Sequence, residues 1–90
     1  MIAQKIIFTG RVQGVGFRYA TKQLALGFDV IGWVKNLSDG TVELQIMGEP
    51  DEIEEFIQEI VEESDLAAHI REFASSEIPL LESCRGFSIK

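Results

Sequence analysis

Between Ile53 and Val61 the chain sets Ile53, Phe56, Ile57, Ile60 and Val61 at positions i, i+3, i+4, i+7 and i+8. That spacing predicts a helix with a single apolar stripe. Glu52, Glu54, Glu55, Glu59, Glu62 and Glu63 fill the opposite side, which reads as a solvated face rather than a metal site. A helix of this kind has to be covered on one side only, and the segments around it say by what. Residues 2–11 alternate, with Ile2, Ile6 and Phe8 on one side and Lys5, Thr9 and Arg11 on the other. Residues 29–36 put Val30, Gly32, Val34 and Asn36 on one face and Ile31, Trp33 and Lys35 on the other. Residues 41–47 turn Val42, Leu44 and Ile46 inward and Glu43 and Gln45 outward. Period two over such runs predicts strands.

The remaining signals complete the order. Phe17, Ala20 and Leu24 predict a first helix over 17–26, with Gly27 suited to a left-handed residue just past its end. Leu37-Ser38-Asp39-Gly40 predicts a hairpin turn between the second and third strands. Pro50 opens the second helix, where its missing N–H would have no partner anyway. Residues 68–77 and 86–90 read as two closing strands. The order β-α-β-β-α-β plus a tail strand predicts an α+β fold: a ferredoxin-like βαββαβ sandwich with two helices on one face of a four- to five-stranded antiparallel sheet.

Ninety residues predict one domain, 1–90. The one cysteine, Cys84, excludes an internal disulfide and suits a reducing compartment. No stretch approaches the roughly 20 apolar residues of a membrane span, so a cytoplasmic monomer is expected. The net charge of −7 is unevenly spread. Residues 1–36 carry five basic residues against Asp29 alone, and residues 37–90 carry three against fourteen acidic ones. An anion site therefore belongs in the first third. The acidic total argues against nucleic-acid binding, which needs a phosphate-neutralising surface.

That first third holds Gly10-Arg11-Val12-Gln13-Gly14-Val15-Gly16-Phe17-Arg18. It joins the first strand to the first helix without a Ser, Thr, Asp or Asn to cap the helix start. Alone, such a stretch reads first as a tight glycine turn with an exposed arginine. It also has what an anion site requires. Gly14 and Gly16 let the backbone curl, and free amides at a positive helix end attract a phosphate. Arg18 in the first turn opposes the helix dipole, which makes sense if its fork grips two oxygens of that anion. In the predicted topology the first two strands are parallel to each other, so Asn36 lies at the same sheet edge as this loop. Its carboxamide either begins the hairpin turn or holds a water against a bound phosphoryl group.

Residues 10–18 together with 32–43 (Gly32-Trp33-Val34-Lys35-Asn36 through Glu43) closely resemble the acylphosphatase family, and the likeness runs over essentially the whole chain to the closing Gly86-Phe87-Ser88-Ile89-Lys90. Gly16 marks the prokaryotic type. The resemblance implies hydrolysis of acyl phosphates to a carboxylate and inorganic phosphate, with no metal and no organic cofactor. It implies a phosphate cradle of backbone amides over Val12, Gln13, Gly14, Val15, Gly16 and Phe17. It assigns phosphate binding to Arg18 and water positioning to Asn36. Many bacterial members carry Gly-Pro after the second helix, where this chain reads Val61-Glu62-Glu63-Ser64-Asp65; an altered loop is expected there. A module that binds an anion without turnover is the competing reading, and intact Arg18 and Asn36 argue against it. RNA binding lacks the paired aromatics it would need. His69 and Cys84 read as packing or surface residues. Tyr19 and Trp33 read as packing residues before substrate-lining ones. Arg11 serves either the loop's potential or a strand end.

Overall fold

The computed structural model describes residues 1–82 and 84–90. Five strands and two helices follow the predicted order: β1 Ile2–Gly10, α1 Phe17–Ala25, β2 Val30–Asn36, β3 Val42–Gly48, α2 Pro50–Gln58, β4 Ile70–Ile78 and β5 Phe87–Ile89. The sheet order is β4-β1-β3-β2-β5. The first four strands pair antiparallel, while β5 joins β2 in parallel, so the fifth strand makes the sheet mixed. Both helices pack on one face, as a ferredoxin-like α+β sandwich requires.

The alternating patterns explain the core. Ile6, Phe8, Val34, Val42, Leu44 and Ile46 point to the helix side and are fully buried. Phe17 and Ala25 from α1 and Ile53 and Phe56 from α2 meet them, with Ile60 just beyond α2. Phe8 and Phe17 lie with ring centroids 5.1 Å apart, which pins the start of α1 onto the C-terminal part of β1.

Three local expectations are corrected. Gly27 is not left-handed: α1 ends in tight i→i+3 turns, with Gly27 N donating to Leu24 O and Phe28 N to Ala25 O. The second helical stripe does not stay α-helical to its end. After Gln58 it widens into a π turn over Glu59–Glu63, where Ser64 N donates to Glu59 O at 2.8 Å. His69 lies on a 3₁₀ turn, Asp65–His69, not on a strand. The Ser64 hydroxyl accepts from Leu66 N and donates to Ile60 O, capping that turn and delaying β4 to Ile70.

Thr21, on the buried side of α1, is fully enclosed, and its hydroxyl oxygen meets no hydrogen-bond partner among the described residues. An unpaired buried hydroxyl costs about 1–3 kcal/mol. Thr21→Val keeps the shape and removes that cost. It should raise stability by about 1 kcal/mol in a urea titration; a loss of stability would mean that the hydroxyl is satisfied.

Candidate active site

The turn between β1 and α1 is held at both ends by buried anchors, Val12 and Phe17. Between them Gly14 (φ 79°) and Gly16 (φ 77°) adopt the left-handed conformation that favours glycine. A methyl group placed on either would meet nothing within 4 Å, so these turns face open space. Gly16 caps α1 with no side-chain bond. From Val12 to Arg18 no backbone N–H donates to a protein acceptor among the described residues; the first that does is Ala20 N, to Gly16 O at 2.9 Å. The cap is missing, and a row of donors is left free at the positive end of a helix.

Asn36 closes β2 opposite Val42 of β3, which on its other side pairs with Phe8 of β1. Because β1 and β2 both run antiparallel to β3, the end of β2 comes beside the glycine turn. A cavity of about 210 Å³ results, lined by Val12, Gly14, Gly16, Phe17, Arg18, Tyr19, Asn36 and Ile89. Arg18 lines it and donates from Nη1 to the main-chain oxygen of Lys90 at 3.0 Å. One of five donors is used, and the rest of the fork stays available. No acidic side chain, histidine or cysteine lines the cavity.

Of the eight residues singled out in the sequence, six line this cavity and two do not. The Gln13 side chain turns toward the β2–β3 hairpin. Val15 packs against the core. Tyr19, expected to pack, is 65% exposed at the cavity rim. Trp33 lies in a different hollow, with Leu81, Glu82 and Cys84, and carries the Lys90 ammonium 4.6 Å over its ring. Arg11 and His69 belong to yet another hollow, and Arg11 N donates to His69 O at 3.0 Å. Ile89 and the Lys90 main-chain oxygen were not foreseen: 72 residues separate Arg18 from Lys90, and no local pattern announces the contact. A larger groove of about 620 Å³ between α2 and the β1–β4 edge is lined by Glu54 and Glu62 and no basic residue, so it would repel an anion.

The hairpin that presents Asn36 is itself braced. Leu37 N donates to Thr41 O, and the Asp39 carboxylate accepts from both Thr41 N and Thr41 Oγ1. Those two bonds, the hydroxyl's first, hold the Asp39 carboxyl below its usual range. Because the folded value is the lower one, the contribution is present above about pH 4 and is lost as pH falls through the folded value. Asp39→Asn should therefore unfold slightly earlier than the parent at neutral pH. The gap should close in acid; a gap independent of pH would contradict this assignment.

An open α+β sandwich here brings uncapped amides, an arginine and a carboxamide to one small cavity, a set of donors of the kind that tetrahedral anions accept from. The match is closer than class. The acylphosphatase family model covers residues 4–89. An acylphosphatase of Lacticaseibacillus paracasei is 35% identical over 98% of this chain and 95% of its own. One of Methanospirillum hungatei is 42% identical over 93% and 88%. The crystal structure of acylphosphatase from Bacillus subtilis superposes with a TM-score of 0.88 at 36% identity, over 100% of this chain and 99% of that one. The chain belongs to the acylphosphatase family, enzymes that hydrolyse acyl phosphates.

Proposed function

We propose that residues 1–90 form one acylphosphatase-like domain in which the amides of Val12 to Phe17 and the Arg18 fork bind the phosphoryl group and Asn36 orients the attacking water. The observation that carries this reading is the convergence of Arg18, Asn36 and the uncapped Gly14–Gly16 turn on one cavity. An acyl phosphate already has a carboxylate as leaving group, so no strong general acid is needed. Phosphoryl transfer is then mostly positioning and stabilisation of charge on the equatorial oxygens. Amides and a guanidinium supply that stabilisation. The Asn36 carbonyl accepts a hydrogen bond from the water and fixes its lone pair toward phosphorus, while the substrate's own phosphoryl oxygen takes the water's proton as the P–O bond forms and the carboxylate leaves. No metal or organic cofactor enters this chemistry. The enzyme works as a monomer in the cytoplasm on small acyl phosphates, without nucleic acid or membrane. No helix among the described residues is long and apolar enough to cross a bilayer.

The test is hydrolysis of benzoyl phosphate with and without a chelator. Turnover that resists the chelator supports the reading. Binding of inorganic phosphate without turnover would make the protein an anion-binding module instead.

A further inference from the structure

Gln13 differs from its neighbours in the glycine turn. Val12, Gly14 and Gly16 line the cavity, whereas the Gln13 side chain leaves the turn and spans to the β2–β3 hairpin. Nε2 donates to Leu37 O at 2.7 Å and to Thr41 O at 2.9 Å. Both amide hydrogens are thereby used. The acceptors are the two carbonyls that close the hairpin: Leu37 O also accepts from Gly40 N, and Thr41 O also accepts from Leu37 N. Leu37 directly follows Asn36, and Thr41 directly precedes Val42, the cross-strand partner of Asn36. Among the described residues this is the one side chain whose hydrogen bonds join the turn that would cradle phosphate to the hairpin that presents Asn36.

We propose that Gln13 is a positioning residue that sets the distance and angle between the bound phosphoryl group and the water on Asn36. The inference rests on the roles given above to Arg18 and Asn36. Two segments 24 and 28 residues apart have to be registered against each other. In-line attack tolerates little error, since reacting atoms must sit about 3–3.5 Å apart and a displacement of about 1 Å can cost 10²-fold. The turn has little stiffness of its own, because its two left-handed glycines face open space. A single hydrogen bond would leave a pivot; two bonds from one planar amide remove rotation as well as translation. The chemistry also restricts the residue. Both acceptors are carbonyls that already receive one backbone N–H, so the site takes a group that donates twice and accepts nothing there. Glutamate has the same shape and would set oxygen against oxygen. The phosphate-binding groups, Val12 to Arg18, form one continuous segment and move together. Loss of the tether should therefore spoil attack and leave anion binding largely intact.

The experiment uses the full chain, with Gln13→Ala and Gln13→Met each made alone and with Asn36→Ala. Benzoyl phosphate reports kcat and inorganic phosphate, as competitive inhibitor, reports binding. Circular dichroism confirms folding, and methionine keeps the length of the side chain in case alanine loosens the turn. Each Gln13 variant should lose roughly 10–100-fold in kcat, with the phosphate inhibition constant within about threefold of the parent. On the Asn36→Ala background the same change should cost less than about threefold, because the water it positions has already been lost. Losses that multiply across the two sites, or a loss carried mainly by phosphate affinity, would overturn the proposal. A Gln13→Met variant with the parent's kcat would overturn it while leaving Arg18 and Asn36 in their roles. A parent that binds phosphate without turnover would remove those roles first and this one with them.

Discussion

Arg18→Ala should lower kcat/KM for benzoyl phosphate by at least 10²–10³-fold, the cost of removing one preorganised donor at a developing oxyanion. The true figure should lie at or above that range, because the guanidinium also carries full charge and a fork that can bridge two equatorial oxygens. Arg18 is the one basic residue lining the cavity. Nothing nearby among those residues can take over its charge. Inorganic phosphate should bind far more weakly to the variant, since ground state and transition state both present the same oxygens to the fork. Arg18→Lys should recover only part of the loss: the charge returns, the planar fork does not. The side chain's bond to Lys90 O is exposed, so its loss should change the unfolding midpoint little. Steady-state kinetics with phosphate inhibition decide the matter, and activity within tenfold of the parent would remove Arg18 from the mechanism.

Asn36→Ala should cost about 10²-fold, and in kcat rather than in phosphate affinity. In the role proposed for it the carboxamide acts on the water, which is not part of the bound anion. Asn36 is half-buried and its carboxamide has no hydrogen-bond partner among the described residues, so it is free to hold that water. Asn36→Asp should also fail: it keeps the size but sets a negative charge toward the phosphoryl group. The split between kcat and the phosphate inhibition constant separates the roles of the two residues. Equal losses in both would mean that Asn36 binds phosphate. The cavity is lined by no acidic side chain or histidine to act as base. The pH profile of the parent should accordingly follow the substrate's ionisation, and a steep limb abolished by mutating a protein group would contradict proton transfer to the substrate.

Much of this architecture was legible one segment at a time. Period-two alternation over residues 2–11, 29–36 and 41–47 marks the faces that bury Ile6, Phe8, Val34, Val42, Leu44 and Ile46. The stripe from Ile53 to Val61 marks the covering helix. These patterns are local, because burial on one face of a strand or helix imposes its own period on neighbouring residues. The missing cap before Phe17 was equally visible, since capping is a matter of which side chain stands next to the helix start. Once the strand order was inferred, even the meeting of Asn36 with the glycine turn followed, because two strands that each pair antiparallel with a third must be parallel.

Tertiary structure decided what depends on contacts far apart in the chain. The parallel seat of β5 against β2 brings Ile89 to the cavity and the Lys90 main-chain oxygen to Arg18. No periodicity encodes which edge a three-residue strand will join. The amide of Gln13 is directed at two hairpin carbonyls by the path of the whole sheet, and its neighbours in sequence say nothing of that. Gly27 shows the same division at small scale: glycine permits a left-handed residue, but the path into β2 is met by tight right-handed turns instead. The amino-acid sequence by itself determined the elements, their buried faces and the free amides of the turn, because those are properties of neighbours. The closure of the cavity and the register between its two sides were left to the fold, because each rests on a bond between groups that only the assembled sheet brings within reach.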